Sequence, residues 1–187
     1  MNNLYYFYDV VARDDICTRL TNLQDSNIFK LDKISFNIGF KGAINDTKNL
    51  IPVLMAMELI TTQKPTITRA KEPISNFNLK KNIPIGCKST LQGDLMFEFI
   101  YKFKSIILPS IKDLNFLLNP NFDNCGNYAL GIFNLLIFSE IDIRHKDYEF
   151  ISGMDLVFLT SAKKDIEAKV LLSLFQLPLL KKNKSII

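Results

Sequence analysis

Residues Lys30 to Phe40 alternate polar and apolar side chains with a period of two, and this pattern limits the fold more than any other feature of the chain. It fits a strand with Phe36 and Ile38 facing inward and Asn37 outward. The same alternation predicts a second strand over 64–71, where β-branched Thr66, Ile67 and Thr68 suit a pleated surface; Ile83 to Leu91 reads as a third, and the hydrophobic runs Tyr128 to Phe138 and Gly153 to Thr160 as two more. Helices are predicted from Leu4 to Leu23, from about Lys48 to Thr62 behind Asn45-Asp46-Thr47, and from Leu95 to Leu108, stopped by Pro109. A last helix, Asp165 to Phe175, starts behind Ser161 and Lys163-Lys164 and ends near Pro178. In the second helix Leu50, Leu54, Met57 and Leu59 belong to the buried side, with Met55 and Met57 as gap-fillers. Ser75 to Asn82, centred on Phe77, and the Asn-, Asp- and Pro-rich stretch Asp113 to Asn127 read as loops. Strands and helices mix without a strict βαβ repeat. The expected fold class is therefore α+β, an antiparallel sheet with helices packed on one face and its other face and loops left free. One domain spans 1–180, in halves 1–82 and 83–180, followed by a basic tail, 181–187.

The chain has 187 residues of which 48% are hydrophobic, enough to bury a real core, so extensive disorder is excluded. The longest apolar run, Tyr128 to Phe138, is eleven residues and carries Asn134, well short of the roughly 20 a membrane span needs. Cys17, Cys87 and Cys125 form no C-x-x-C pair and have no nearby His, so neither a disulfide framework nor a zinc site is encoded, and a reducing compartment fits. The single histidine, His145, lies in a polar stretch between Arg144 and Lys146, whose charges disfavour its protonation. With no nucleophile elbow, phosphate loop or dinucleotide fingerprint, the sequence points to no enzyme, no catalytic residue, no metal and no cofactor.

The net charge of +4 permits a polyanionic partner without demanding one. Lysine outnumbers arginine 19 to 4, and residues read from A/T-rich codons (Phe, Tyr, Met, Ile, Asn, Lys) total 85 against 25 for Gly, Ala, Arg and Pro. Such a skew reflects coding DNA and suggests an organellar genome or an A/T-rich microbe. The densest cluster of polar residues runs from Asn37 to Leu91: Gln63, Lys64, Thr66, Thr68, Arg69 and Lys71, then Lys80-Lys81, then Lys88, Ser89 and Thr90. Cations interleaved with amides and hydroxyls can bind phosphate and ribose. A solvated sheet face has a similar composition, but a sheet covered on one side only leaves the other available for binding.

The runs Thr61-Thr62-Gln63-Lys64-Pro65-Thr66-Ile67-Thr68-Arg69-Ala70-Lys71 and Ile83-Pro84-Ile85-Gly86-Cys87-Lys88-Ser89-Thr90-Leu91 resemble the family of large-subunit ribosomal protein five, which binds 5S ribosomal RNA. Asn121-Phe122-Asp123 with Gly126-Asn127-Tyr128-Ala129-Leu130-Gly131-Ile132 resembles that family's FD-x-x-GNY-x-LGI signature, Phe138-Ser139-Glu140-Ile141 its FPEI, and Gly153-Met154-Asp155 its next-to-last element, with the closing helix ending at Leu177-Pro178. The resemblance covers about residues 30 to 180.

It implies a structural protein of the central protuberance that grips 5S rRNA, beside the large-subunit rRNA, through its sheet. Asn37, Gln63 and Thr90 match family residues associated with RNA recognition, Thr66 and Thr68 lie between them, and Lys64, Arg69, Lys71 and Lys88 would supply charge. The loop of Ser75, Asn76, Phe77, Asn78, Lys80 and Lys81 corresponds to one that approaches peptidyl-site transfer RNA. Asn115 to Arg144 corresponds to the side facing a protein of the small-subunit head, among neighbouring ribosomal proteins. An alternative is a protein-interaction module of an organellar ribosome with reduced or absent 5S rRNA.

Bacterial-type relatives usually have Gly where Thr62 stands, Arg where Gln92 stands and Gly-Arg where Asn124-Cys125 stand; Asn78 and Asn82 replace a usual Arg and Gly, and Ser139 a Pro. Each lost Arg removes a bidentate phosphate donor. This divergence and the composition favour a mitochondrial ribosome, in the matrix, over a plastid or bacterial one. No Arg-rich, acid-poor presequence opens the chain, since Asp9, Asp14 and Asp15 occur early, as expected for synthesis inside the organelle.

Overall fold

Among the described residues six strands pair into one antiparallel sheet of order β2-β3-β1-β6-β5-β4. They are β1 (Leu31–Gly39), β2 (Thr66–Arg69), β3 (Pro84–Leu91), β4 (Leu117–Phe122), β5 (Tyr128–Ile132) and β6 (Met154–Thr160). The computed structural model describes residues 29–44, 47–111, 117–142, 148, 151 and 153–177. The predicted first helix, Asn45 and Asp46, His145, Cys17 and the basic tail lie outside them. The two halves share this sheet: β1 runs between β3 and β6, both of which follow residue 83.

Strand alternation sorts the two faces as expected. Ile34, Phe36 and Ile38 of β1, Cys87 and Leu91 of β3, Leu156 and Phe158 of β6 and Tyr128, Leu130 and Ile132 of β5 are all buried in one core. Helices α1 (Leu50–Thr61), α2 (Gly93–Lys102) and α3 (Asp165–Leu174) cover that face. Apolar residues at helical spacing do so: Val53, Met57 and Ile60 from α1, Met96, Phe99 and Ile100 from α2, Ala168, Leu171 and Leu172 from α3. An aromatic chain joins the layers. Phe36 meets Phe99 edge-on at 4.8 Å, Phe99 stacks on Phe103 at 5.8 Å, Phe103 lies 6.5 Å from Phe158, and Phe158 lies 6.1 Å from Tyr128. Burial pushes the Tyr128 hydroxyl well above its usual pKa.

Several expectations are corrected. The stretch 113–127, read as a loop, contains β4: its backbone pairs with β5, and tertiary pairing overrides the turn preference of Asn119 and Pro120, which sit on an edge strand beside a register shift. Tyr128 to Phe138 is not one strand. It ends at Ile132, and the Asn134 side chain accepts from the Leu136 N–H to start the turn Leu135–Ile137, followed by a short helical turn, Ser139–Asp142. Pro109 does not stop α2 at Leu108; a wide turn, Phe103–Ile107, carries the helix on to Ser110. Leu59 and Met55 are exposed, because the face resting on β3 is set by Leu50, Val53, Met57 and Ile60. A register shift between Leu31 and Lys33 accompanies the burial of Leu31, which strict alternation would set on the face of Asn37.

Candidate nucleic-acid interface

The face opposite the helices carries a polar row. Thr66 of β2 is opposite Lys88 of β3, Lys88 opposite Asn37 of β1, and Asn37 opposite Asp155 of β6. All four side chains are exposed. One step along, Thr90 faces Ser35; one step the other way, Thr68 faces Gly86 and Gly86 faces Gly39. With strands about 4.8 Å apart, the Thr66-to-Asn37 row spans roughly 10 Å.

The candidate residues divide into three groups. Asn37, Lys88, Thr66 and Thr90 share the open face, and Gln63 and Lys64 are exposed where the chain enters β2. The Thr66 hydroxyl donates to the Lys88 carbonyl at 3.1 Å, which fixes the edge strand and leaves its lone pairs outward. Thr68 is half-buried at the other end, leading to exposed Lys71. Arg69 is partly engaged inside the protein: its guanidinium donates to the Asn82 carbonyl at 3.1 Å, across the neck of the following loop. Ser89 is corrected, since alternation sends it to the core face, where its hydroxyl has no partner among the described residues.

The loop after β2 is an ordered hairpin extension rather than a loose polar segment. Ala70 donates to Ile83 and Asn82 to Ala70 at its neck; Ile74 and Leu79 exchange both backbone hydrogen bonds at 3.0 Å nearer the tip. Ser75–Phe77 forms one helical turn, which holds Phe77 out at 62% exposure beside exposed Asn76, Asn78, Lys80 and Lys81.

Other polar motifs are used inward. Asp123 accepts from the Cys125 and Asn127 backbone N–H groups and from Asn127 Nδ2 at 2.7–2.9 Å. Asn127 Oδ1 accepts from the Thr160 N–H, the Thr160 hydroxyl donates to the Gly126 carbonyl at 2.7 Å, and Gly126 N–H donates to Asp165 at the start of α3. This network ties the β4-β5 turn to the end of β6. The Asn127 side chain, more than any other group, holds the Asp123 carboxyl below its ordinary pKa. In the Phe138-to-Ile141 motif both apolar ends are buried, and Glu140 pairs with Lys102 at the end of α2. Burial works to raise the Glu140 pKa, but the hydrogen bond and charge of Lys102 prevail and lower it. No spacing in the sequence signals that these motifs are structural.

The departures from relatives also acquire a geometry. Thr62, Asn78, Asn82 and Asn124 all have left-handed backbone, with φ of 53°, 53°, 70° and 64°; at Thr62, Asn82 and Asn124 the resemblance implies a usual Gly. Asn tolerates this conformation, whereas the β-branched Thr62 is strained in it.

Among the described residues no group of His, Cys, Asp or Glu is placed to hold a metal ion, and no helix is long and apolar enough to cross a membrane. Residues 26–80 match the model of the ribosomal protein L5 family, and residues 84–179 match the model of that ribosomal family's C-terminus. The chain is 38% identical to the large ribosomal subunit protein uL5m of Reclinomonas americana over 97% of its own length and 100% of that protein. It is 45% identical to uL5 of Chlorobaculum tepidum over 83% of its length and 84% of that relative, and 43% identical to uL5 of Lactobacillus johnsonii over 81% and 83%. These relatives are ribosomal structural proteins, not enzymes, and the full-length match to the mitochondrial relative supports a place in the mitochondrial ribosome. Matched across both halves of its shared sheet, the chain belongs to the L5 (uL5) family of structural proteins of the large ribosomal subunit.

Proposed function

We propose that the open face of β2, β3 and β1 holds 5S rRNA in the central protuberance. The observation that carries this reading is the Thr66-Lys88-Asn37 row, flanked by Thr90 and Gln63-Lys64, on a face that no described helix covers. Short amides and hydroxyls engage ribose and phosphate without demanding one base, and the lysines release counterions. The hairpin tip, with Phe77 exposed beside Asn76 and Lys80, approaches peptidyl-site tRNA, where an aromatic ring can stack and ammonium groups meet phosphate. The stretch 115–144, described over 117–142, faces a small-subunit head protein across an intersubunit bridge.

The test is a titration of the purified protein with 5S rRNA at several salt concentrations. The expected slope of log K against log salt is about −0.7 to −0.9 per phosphate contacted, with clear preference over a random RNA of equal length. A salt-insensitive interaction, or equal affinity for both RNAs, would overturn the reading. It would favour instead a module that recruits ribosomal proteins through its two sheet edges, β2 and β4.

A further inference from the structure

An acidic residue at the β6 end of the polar row, bordering the face proposed to hold RNA, needs a reason. Asp155 is exposed, directly opposite Asn37 in the polar row, and its carboxylate has no hydrogen-bond or ion-pair partner among the described residues. Lys88 lies on the far side of Asn37, roughly 10 Å away across two strand spacings, so the carboxylate is not neutralised at contact distance. A backbone phosphate would be repelled there. A base edge rich in donors would not be.

A second, independent observation concerns the neighbouring glycines. Gly86 has an internal explanation, because a Cβ there would meet the Ile38 carbonyl oxygen at 2.3 Å. Gly39, its cross-strand partner, has none: its backbone is not left-handed, and a Cβ would meet nothing within 4 Å among the described residues. A strand glycine that neither φ nor packing requires marks a place where something else comes close to the backbone. Gly39 is two residues from Asn37 on the same face, so it forms a bare floor beside the Asn37-Asp155 pair.

We propose that Asp155 reads an unpaired guanine of the bound RNA. Of the four bases only guanine offers two adjacent donors, N1–H and the exocyclic N2 amine, on its Watson–Crick edge, and an ionised carboxylate is a two-oxygen acceptor that matches them. The Asn37 amide lies beside the same edge, and the absent side chain at Gly39 gives the base room to reach the sheet. This inference rests on the open face being the 5S rRNA site and adds the base that the face selects.

The experiment compares wild type, Asp155→Ala, Gly39→Ala and Lys88→Ala on transcribed 5S rRNA and on a set of transcripts in which single unpaired guanosines are replaced by inosine, which lacks the N2 amine. At one position inosine should weaken wild-type binding about 10-fold, within the range of a bidentate contact. Asp155→Ala should lose a similar factor on native RNA and nothing more on that inosine RNA. Gly39→Ala should melt at the wild-type temperature yet bind several-fold more weakly. If Asp155→Ala binds native RNA as tightly as wild type or more tightly while Lys88→Ala is weakened, the guanine reading is overturned and the RNA-binding face stands. Loss of preference for 5S rRNA in the wild-type protein itself would overturn both.

Discussion

The polar row on the open face and the network of the Asp123-to-Asn127 turn with Thr160 are alike in composition: each combines an amide, a hydroxyl and an acid, and each draws on stretches that resemble the same family. Their geometry differs. In the turn, Asp123, Asn127 and Thr160 spend their polar atoms on one another and on backbone groups of the turn and of β6. In the row, Asn37, Lys88 and Asp155 stand exposed on a flat sheet, and only Thr66 donates inward. The lesson is that a motif shared across a family is two kinds of thing. Where polar atoms are already satisfied within the protein the motif builds the fold, and where they are presented to the outside they are open to a partner.

That contrast can be broken by substitution. The largest effect is expected from the layer beneath the row: Phe36→Ala removes a fully buried ring packed on Phe99 and should destabilise by about 3–5 kcal/mol in denaturant unfolding. Next, Asp123→Ala removes the acceptor for three donors in an exposed turn and should cost about 1 kcal/mol with 5S rRNA affinity unchanged. Its pH signature has a definite sign. The folded carboxyl sits below the ordinary value of 3.8, so its contribution is present above that pH and is lost as pH falls through the lower folded value. The variant should show a flatter acid limb in melting experiments than wild type. A similar magnitude in the opposite direction is expected of Thr62→Gly, which relieves left-handed strain at the end of α1 and should raise stability by about 1 kcal/mol. The smallest effect on stability, within about 0.5 kcal/mol, belongs to Asn37→Ala, an exposed position. Binding should nonetheless fall severalfold in the same titration that leaves Asp123→Ala untouched; the reverse pairing of outcomes would erase the distinction between the two motifs.

Much of this was legible in the chain. Period-two alternation located β1 and the orientation of Phe36, Ile38 and Asn37, because burial on one face of a sheet writes itself directly into sequence, and the apolar run Gly153 to Thr160 located β6. Local preference failed where long-range pairing decides: β4 contains Asn119 and Pro120 and exists through β5. It failed again on α1, where apolar residues on several sides left Leu59 and Met55 indistinguishable from core until the contact with β3 chose a face. At the interface the placement of Asn37 followed from alternation, the polar run groups Lys88 and Thr90 with Ser89 although pleating sends Ser89 to the other face, and the engagement of Arg69 with Asn82 depends on how the hairpin closes. Which polar motifs turn inward is a matter of three-dimensional neighbours that no spacing rule reveals.

The position of β1 between two later strands bears on how the protein is made. Lys30 and its hydrogen-bond partner Ser161 are separated by 131 positions, so the strand that carries Asn37 is synthesised long before β6 can complete its second ladder. Until then one edge of β1 is bare, a state prone to wrong pairing during slow, non-local folding. A nascent chain in this condition gains from being shielded until its last strand has left the ribosome that builds it. The pairing of Asn37 with Asp155, which straddles β1 and β6, comes into existence only at that late moment, so the four-residue polar row is complete only once β6 has joined the sheet.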